Sequence, residues 1–540
     1  MKTYTAHFLA SMLFLLCASS TGAQDNLIVA AMKKEVERNR TGLKIDRLRS
    51  PFFISYTVID AEHLNISATL GSLSRSLSFR NRGGIPFLLT GNYKRNNINF
   101  GQNYFYPRNV SIDDSPEGIA RSIWADLDGI YKTAAENYEA KLAAVAQQNI
   151  DREDLDLPDF DSAAPKTLIL EPAKMNLDKD YWEDYAKKSS EVLKKYPEIL
   201  RSSVSVFIRN ATSYFYSTEK TEFIVPSPYY QIHLNLFAMT DDGQELSRDL
   251  YFEHTAFEQM PSLAAFKDTC EVVARKLLDL RKAPMLDDAY SGPVMFEGQA
   301  VPEVFQSQIS KLFVARKPLT ENGGNNTEMM KNKKLVSRSL TVKSLSGTEF
   351  YGGRRLDGYY PVDAEGVAPD KELVLIENGV LRNMLNGRTP SKKFPRSNGH
   401  RRMNFSYYNS SIMPGNILLS SNHTFDPSAM KQKLLDAARE EDLDYAYIVR
   451  GFRGQPFEIY RVRVADGSEE LVRGAVLQDL NLKSFKRVLG ASNREYFYNT
   501  TAFGAIVTYI VPESILFEEL EITRDNNIKL KTPFIAPRPE

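Results

Sequence analysis

The sequence contains few of the residues that would indicate a chemistry by themselves. Its 540 residues include only 2 cysteines and 6 histidines, and Lys+Arg and Asp+Glu both number 68, so the formal net charge is zero. This balance gives no indication of a nucleic acid or an anionic membrane as a partner. After the N-terminus, no run approaches the roughly 18 consecutive apolar residues of a membrane-spanning helix. We therefore expect a soluble protein with no nucleic-acid partner and no transmembrane segment.

The N-terminus has the features of a secretory signal peptide. A lysine at position 2 precedes an apolar run at 8–18, and small residues follow up to Ala23. We predict a signal peptide over 1–23, which would place the mature protein in the periplasm or outside the cell. Lipid attachment at Cys17 is disfavoured, because Leu16 precedes it where a small residue is expected.

Export would leave Cys270 as the only cysteine, so no intrachain disulfide can form. Apolar residues share one helical face with Cys270, and we interpret its thiol as a small buried hydrophobe. The length predicts two or three domains, because single cores stop growing at roughly 250–300 residues.

Hydrophobic periodicity predicts an α+β fold. In the first half, apolar spacing predicts helices within 26–48, from Ser115 to about Gln148, after Asp178 and over 262–281. Between them, aromatic and β-branched runs such as YYQIHLNLFAMT alternate with polar residues, as half-buried strands do.

The second half reads as β-rich, with a hairpin turn at 377–379 and one helix near 426–441. We predict an N-terminal domain of mixed strands and helices over 24–285, with an acidic linker or loop near 151–166. A β-rich C-terminal domain over 286–540 would follow, with a barrel-like or strongly curved sheet.

One segment, 291–316, combines a strand with a helix and places an acid between them. The residues at 293–296 predict a short strand that turns at Gly298, and Pro302 fits the first helical turn, where a missing N–H costs little. Glu297 stands at this corner among apolar neighbours. Burial there would make its carboxylate a plausible general base. The alternative is a hydrogen-bonded corner residue, because no metal ligand or second catalytic group lies beside it.

No other motif indicates catalysis. No two histidines have metal-ligand spacing, and HExxH, GxSxG and P-loop motifs are absent from the sequence. Glu253 precedes His254, but neighbouring residues on a strand point to opposite faces. We interpret His400, which precedes two arginines, as part of a solvated basic turn.

A group of acids lies among glycines and prolines, at Asp357, Asp363 and Glu365. Carboxylates in such turns usually cap backbone groups or stay in water. The alternatives are paired acid catalysis, calcium binding or substrate binding. We name Gln299, Asp363 and Glu365 as candidate substrate-binding residues.

Several segments resemble the TldD/PmbA family, a metallopeptidase-related group also labelled modulators of DNA gyrase. The segment 290–305 is similar to the start of the family's helix, and 353–390 with 397–402 is similar to its central turn and hairpin. The tail and the helix around Trp124 are similar to a divergent TldD-related branch. The resemblance spans most of the mature chain.

In the active branch, that resemblance implies a zinc site made by HExxxH and a cysteine near the C-terminus. On this sequence the two histidines fall on Phe296 and Val301, the glutamate is Glu297, and the cysteine's region, 500–506, contains no cysteine. Catalytic zinc uses three protein ligands and a water. The resemblance therefore implies no metal ligands here.

Three hypotheses follow. The first is an exported pseudopeptidase without a cofactor that binds extended peptides or unfolded polypeptide, as a homodimer or with a metal-bearing paralogue. The second is an active zinc metallopeptidase that uses Glu297 with unrecognised ligands. The third is a structural protein of the cell envelope.

Overall fold

The computed structural model describes residues 26–100, 108–147, 156–175, 177–315, 328–405, 409–451, 458–478, 480–502 and 504–531. The predicted signal peptide at 1–23 and Cys17 lie outside these residues, and export stays a prediction. Of the helices in the described ranges, none has the length and apolar character needed to cross a membrane.

The first half is built around one eight-stranded sheet. In chain order, its elements are α1 (Leu27–Gly42), β1 (Pro51–Thr69), β2 (Ser72–Thr90), β3 (Arg108–Asn109), α2 (Pro116–Gln147), β4 (Thr167–Ile169), α3 (Lys179–Glu191), β5 (Ile199–Ser217), β6 (Glu222–Pro226), β7 (Tyr229–Met239), β8 (Glu245–His254) and α4 (Leu263–Lys282). The strand order is β3-β2-β1-β5, and β5 then pairs with β6 at one end and with β7 at the other. β4 pairs with β6, and β8 pairs with β7.

The helices all cover one face of this sheet. Even-numbered residues of β1 from Ile54 to Val58 pack on α1 and α2, and those from Leu64 to Ala68 pack on α3 and α4. Successive side chains of a strand alternate between faces, so this spacing assigns one face to the helices. On the opposite face, Ile59 contacts residues of the second half.

The second half consists of two further large sheets. Its elements are β9 (Tyr290–Glu297), α5 (Ala300–Gln308), β10 (Leu340–Ser344), β11 (Phe350–Tyr351), β12 (Arg354–Arg355), β13 (Leu373–Glu377), β14 (Val380–Leu381), β15 (Arg401–Asn404), β16 (Asn409–Ile412), β17 (Asn416–Ser421), β18 (Thr424–Phe425), α6 (Pro427–Glu440), β19 (Tyr445–Arg450), β20 (Glu458–Arg463), β21 (Glu469–Val472), β22 (Ala475–Gln478), β23 (Val488–Ser492), β24 (Glu495–Ala502), β25 (Ala505–Pro512) and β26 (Ser514–Arg524).

These sheets confirm the α+β class but not a barrel. One has the order β14-β13-β10-β17-β25-β24, and the other has β18-β23-β26-β9-β19-β20-β21 with β22 beside β26. They share one apolar core, and α6 covers the other face of the second sheet. The barrel-like alternative is wrong: both sheets are curved but not closed. Their apolar faces are buried against each other and α6, so burial needs no closure.

Buried polar contacts join the two halves. The Arg388 guanidinium donates to Glu219 Oε1 at 2.6 Å and to the backbone oxygen of Asp161 at 2.8 Å, and it lies 4.1 Å from the ring centre of Phe160. Phe160 belongs to the acidic segment predicted near 151–166, of which the structure describes residues 156–166. The division of the chain at 285/286 stays a prediction.

Candidate functional site

The strand-to-helix corner lies where β9 meets α5. β9 ends at Glu297, and Gly298 turns the chain with φ of +57°, where no atom lies within 4 Å of an added Cβ. Glycine adopts this left-handed conformation without steric strain. Its N–H donates to the backbone oxygen of Glu513 at 2.8 Å, which holds the corner beside the start of β26.

Glu297 forms an ion pair across two parallel strands. Its register partner on β19 is Arg450, whose Nε donates to Glu297 Oε2 at 2.7 Å. On its other side, Arg450 donates to Glu469 Oε2 at 2.7 Å, and its guanidinium lies 4.6 Å from the ring centre of Tyr460. Burial lowers the pKa of Arg450, but the hydrogen bonds and charges of the two glutamates raise it overall. Arg450 therefore stays a cation bound to Glu297.

The residues on either side of Glu297 belong to the apolar core. Phe296 is fully buried and Val301 is 2% exposed. Phe296 contacts the ring of Phe517 edge-on, with 5.3 Å between ring centres. The Glu297 side chain is 30% exposed. The corner therefore presents one carboxylate to solvent, and Arg450 already binds it.

Gln299, the residue immediately before α5, belongs to a second polar group. Its Nε2 donates to Glu303 Oε1 at 2.8 Å and to the Tyr498 hydroxyl at 3.4 Å, and that hydroxyl donates to Glu303 Oε1 at 3.4 Å. Gly451 lies against this group, because a Cβ there would be 2.6 Å from Glu303 Oε2. An amide, a carboxylate and a phenol thus lie together beside the corner.

Strand β24 separates this group from a second one. Tyr498 contacts α5, whereas the next residue, Asn499, contacts the first half, as expected for alternating strand side chains. The Asn499 amide donates to Asp357 Oδ2 at 2.6 Å and to the backbone oxygen of Glu253 at 2.9 Å. Its Oδ1 accepts from Thr508 Oγ1 at 2.9 Å.

Asp357, which lies in the second half of the chain, binds the residues at the end of β8 in the first half. His254 Nδ1 lies 2.9 Å from Asp357 Oδ2, and the Thr255 N–H and hydroxyl donate to Oδ1 at 2.7 and 2.8 Å. Burial would raise the pKa of Asp357, but the hydrogen bond and charge of His254, together with Thr255, hold it below the ordinary value. The Asp357 carboxylate is thus a buried anion with several donors.

Glu253 has a separate set of partners, so the Glu253–His254 sequence pair is not a pair in space. Its Oε1 accepts from the Tyr229 hydroxyl at 3.0 Å, from Gln231 Nε2 at 2.8 Å and from Thr501 Oγ1 at 2.6 Å. Thr501 belongs to β24, so this contact also joins the halves.

Asp363 and Glu365 bind backbone N–H groups around their own turn and do not contribute to the strand-to-helix corner. Asp363 is buried and accepts backbone N–H groups from Glu365, Val367 and Arg401 at 2.9, 2.9 and 3.1 Å. Burial, and then the charge of Glu365, raises the pKa of Asp363 above its ordinary value. Glu365 Oε2 accepts from the Arg388 N–H at 2.6 Å. Within the described ranges, none of their hydrogen-bond partners belongs to the corner.

His400 lies in the interior, and the solvated basic turn predicted for it is wrong. Its Nε2 lies 2.9 Å from Ser344 Oγ, and its Nδ1 lies 2.8 Å from the backbone oxygen of Asn398. Burial, with a smaller effect from Arg402, lowers the pKa of His400 to about 3. The imidazole is therefore neutral. The two arginines that follow do not place His400 in solvent, because Arg402 is itself buried and donates to backbone oxygens.

Sequence reasoning missed several residues of this site. It identified Glu297 and Gln299 from the corner, but it did not pair them with Arg450 and Tyr498. These partners lie about 150 to 200 positions away in the chain. No local spacing indicates such contacts, because strand register between distant segments is set by the assembled sheets.

The fold and the corner define an α+β protein of two halves, with the strand-to-helix corner in the second half. The model of the PmbA/TldA metallopeptidase C-terminal domain matches residues 289–524. This part of the chain therefore belongs to the TldD/PmbA family, which is metallopeptidase-related. Among curated proteins, none matches the sequence.

Solved structures share the fold over most of the chain. TldE from Thermococcus kodakarensis is 12% identical, with a TM-score of 0.57 over 91% of this chain and 100% of its own. A Bacteroides thetaiotaomicron protein named as a modulator of DNA gyrase is 13% identical, with a TM-score of 0.59 over 92% and 98%. A Thermotoga maritima protein named likewise is 14% identical, with a TM-score of 0.56 over 87% and 96%.

The zinc that such a family implies does not fit the residues present at this corner. Phe296 and Val301, on which the resemblance places the two histidine ligands, offer no ligand atom and lie in the core. Zinc is held by sulfur, imidazole nitrogen or carboxylate oxygen. Across the described ranges, no three His, Cys, Asp or Glu side chains are grouped so that they could hold a metal.

Proposed function

We propose that this protein is an exported, non-catalytic TldD/PmbA-type subunit that holds extended peptides or unfolded polypeptide. The observation that carries the proposal is the ion pair of Glu297 with Arg450, 2.7 Å apart. A glutamate that activates water needs a carboxylate that is available to a water molecule and, in zinc peptidases, a metal beside it. Here the cation beside the carboxylate is a guanidinium.

Peptide binding is supported by the groups that surround β24. This strand is at the edge of its sheet in the strand order. An extended peptide binds such an edge through main-chain hydrogen bonds, and neighbouring side chains select among sequences. Gln299, Glu303 and Tyr498 lie along one side of β24 and offer both donors and acceptors.

The first experiment measures metal, cleavage and binding on the same preparation. The mature protein, without a histidine tag, is loaded with zinc, desalted and assayed for metal content, and a peptide library is incubated with it and analysed by mass spectrometry. We expect substoichiometric zinc and no cleavage. Stoichiometric zinc with cleavage that Glu297→Gln abolishes would overturn the proposal and establish a metallopeptidase.

Binding is measured by fluorescence anisotropy with a labelled, reduced and carboxymethylated protein as the unfolded probe. We expect saturable binding that the double variant Gln299→Ala/Tyr498→Phe weakens by at least about fivefold, since hydrogen bonds to the probe are lost. The matched control is Arg382→Ala, which changes an exposed arginine that is paired with Glu377. We expect this variant to bind like wild type. No binding by wild type would favour a structural role in the envelope.

A further inference from the structure

One surface of the second half carries cations without a matching number of acids. We call it the basic surface, and it consists of the segments 328–334 and 391–396. Its exposed cations are Lys333, Lys334, Lys392, Lys393 and Arg396. The only carboxylate in the two segments is that of Glu328, which is 8% exposed. Because the formal net charge of the whole chain is zero, these cations are a local excess.

Contacts between the two segments fix these cations on one surface. Glu328 Oε1 accepts from Ser391 Oγ at 3.0 Å. Lys331 Nζ donates to the backbone oxygen of Lys393 at 2.8 Å. The same ammonium group lies 4.5 Å from the ring centre of Phe394, which is buried. The cations are therefore held together by the fold and not only by their order in the chain.

Strand β14 adjoins the basic surface and adds no unpaired acid to it. The backbone oxygen of Lys333 accepts an N–H of β14 at 3.1 Å. Glu377, at the turn before β14, is bound by Arg382 at 3.1 Å. Within the described ranges, Lys333, Lys334 and Lys393 have no ion-pair partner. Their charges are therefore available to an anionic partner.

An exposed methionine accompanies these cations. Met329 is 65% exposed, more than any other large apolar side chain in the described part of the chain. Its neighbours are anchored, Glu328 by Ser391 and Met330 by the apolar core of the second half. Binding to a membrane surface combines burial of apolar side chains with attraction of cations to anionic lipids. The basic surface offers both.

We propose that the basic surface docks this protein on a bilayer that contains anionic phospholipid. The exposed cations lie at the lipid phosphates, which attract lysine and arginine. The side chain of Met329 enters the boundary between the headgroups and the acyl chains. The export predicted from the N-terminus would place the protein beside a membrane.

The composition of the surface favours a membrane over a nucleic acid. Proteins that bind single strands offer aromatic side chains on which bases stack. The ring of the basic surface, Phe394, is 6% exposed, so bases cannot stack on it. An exposed methionine binds no phosphate, but it gains free energy on transfer from water to acyl chains.

This inference goes beyond the proposed function and does not rest on peptide binding. Strand β14, which adjoins the basic surface, and β24 are at opposite ends of their sheet's strand order. A protein that binds vesicles but no peptide would overturn the proposed function alone. A protein that binds peptide but no vesicles would overturn this inference alone.

Sedimentation with vesicles measures docking of the full mature chain. Vesicles of equal parts phosphatidylcholine and phosphatidylglycerol are compared with vesicles of phosphatidylcholine alone. We expect binding only to the anionic vesicles, and weaker binding as salt rises, because ions screen surface charges. No binding to the anionic vesicles, or equal binding to both kinds, would overturn the proposal.

A triple variant, Lys333→Gln/Lys334→Gln/Lys393→Gln, tests which cations are used. We expect binding to the anionic vesicles to weaken about 100-fold, at about fivefold for each lysine near the lipid surface. The matched control has the same change in net charge at three exposed lysines of the first half, Lys34→Gln/Lys44→Gln/Lys132→Gln. It should bind like wild type. Equal losses in the two variants would overturn the proposal, because attraction would then follow net charge alone.

A fluorescent label at position 329 tests whether the apolar side chain enters the bilayer. Cys270 is fully buried, and burial raises the pKa of its thiol to about 12, so the label reacts with an engineered cysteine. On anionic vesicles, an environment-sensitive label on Met329→Cys should shift its emission to the blue. The same label on Leu200→Cys, an exposed position of the first half, should not. An equal shift at both positions, or none at 329 in bound protein, would overturn the proposal.

Polyglutamate distinguishes an acidic polypeptide from a membrane, because it offers anions without acyl chains. We expect it to bind more weakly than anionic vesicles of equal total charge, since Met329 gains nothing from it. Equal or tighter binding of polyglutamate through the same three lysines would assign the basic surface to acidic polypeptides and overturn the proposal.

Discussion

The carboxylate of Glu297 lies 2.7 Å from Nε of Arg450, its register partner on the neighbouring parallel strand. Glu469 binds the same guanidinium from the other side, and Lys431 binds Glu469 in turn. The corner is therefore held by a row of alternating charges.

The first prediction concerns the strength of this ion pair. Because both side chains are about 30% exposed, solvent screens them, and we expect a coupling free energy of about 1 kcal/mol. The measurement is a double-mutant cycle with Glu297→Gln and Arg450→Met in urea. Arg463→Met, which removes a more exposed arginine, is the control, with a change below about 0.5 kcal/mol. A coupling of zero would contradict a stabilising pair.

The second prediction concerns Asp357 at the junction of the halves. Asp357→Ala leaves buried donors from His254, Thr255 and Asn499 without their acceptor, and we expect a loss of about 3 kcal/mol. Since the pKa of Asp357 is lowered in the folded state, its contribution is present above its ordinary pKa and is lost as pH falls through the lowered one. Urea unfolding between pH 3 and 7 measures both effects. An unchanged acid dependence in the variant would contradict this assignment.

The third prediction concerns the neutral imidazole of His400. Its pKa is about 3 when folded, against an ordinary value of 6.5, so unfolding takes up a proton between these values. Stability is therefore full above pH 6.5 and falls as pH drops toward 3, by up to about 1.4 kcal/mol per pH unit. His400→Gln should remove this part of the acid dependence, whereas the exposed His423→Gln should not. Equal slopes of the unfolding free energy against pH in wild type and both variants would refute this prediction.

The fourth prediction concerns Arg388, which joins the halves. Arg388→Ala removes the buried ion pair with Glu219 and the contact with Phe160, and we expect a loss of about 3 kcal/mol or more. Arg382→Ala, at an exposed ion pair with Glu377, should cost less than about 0.5 kcal/mol. Chemical denaturation of both variants is the measurement. Similar losses for the two would show that Arg388 has no special structural role.

Local signals in the sequence predicted much of the secondary structure. The helix expected over 262–281 is observed as Leu263–Lys282, and the Ser262 hydroxyl caps it by accepting the Ala265 N–H. The hairpin at 377–379 is also confirmed, with positive φ at Asn378 and Gly379. Such features depend on residues close in sequence, so one sequence is enough to identify them.

Features that depend on distant residues were not predictable. Strands β1 and β5 are each continuous over 19 residues, although polar residues interrupt the apolar runs in both. Serines such as Ser205 interrupt the apolar pattern because the face opposite the helices is polar there. His400 was assigned to solvent for a similar reason, since its neighbours are arginines and its burial depends on Ser344.

Strand β24 supplies consecutive residues to two different polar groups, Tyr498 toward α5 and Asn499 toward Asp357. A slip of one residue against β25 would exchange the two sets of side chains at once. Neither group can therefore be altered by insertion or deletion in this hairpin without damage to the other. Over evolutionary time, the hairpin is expected to change by substitution and to keep its length.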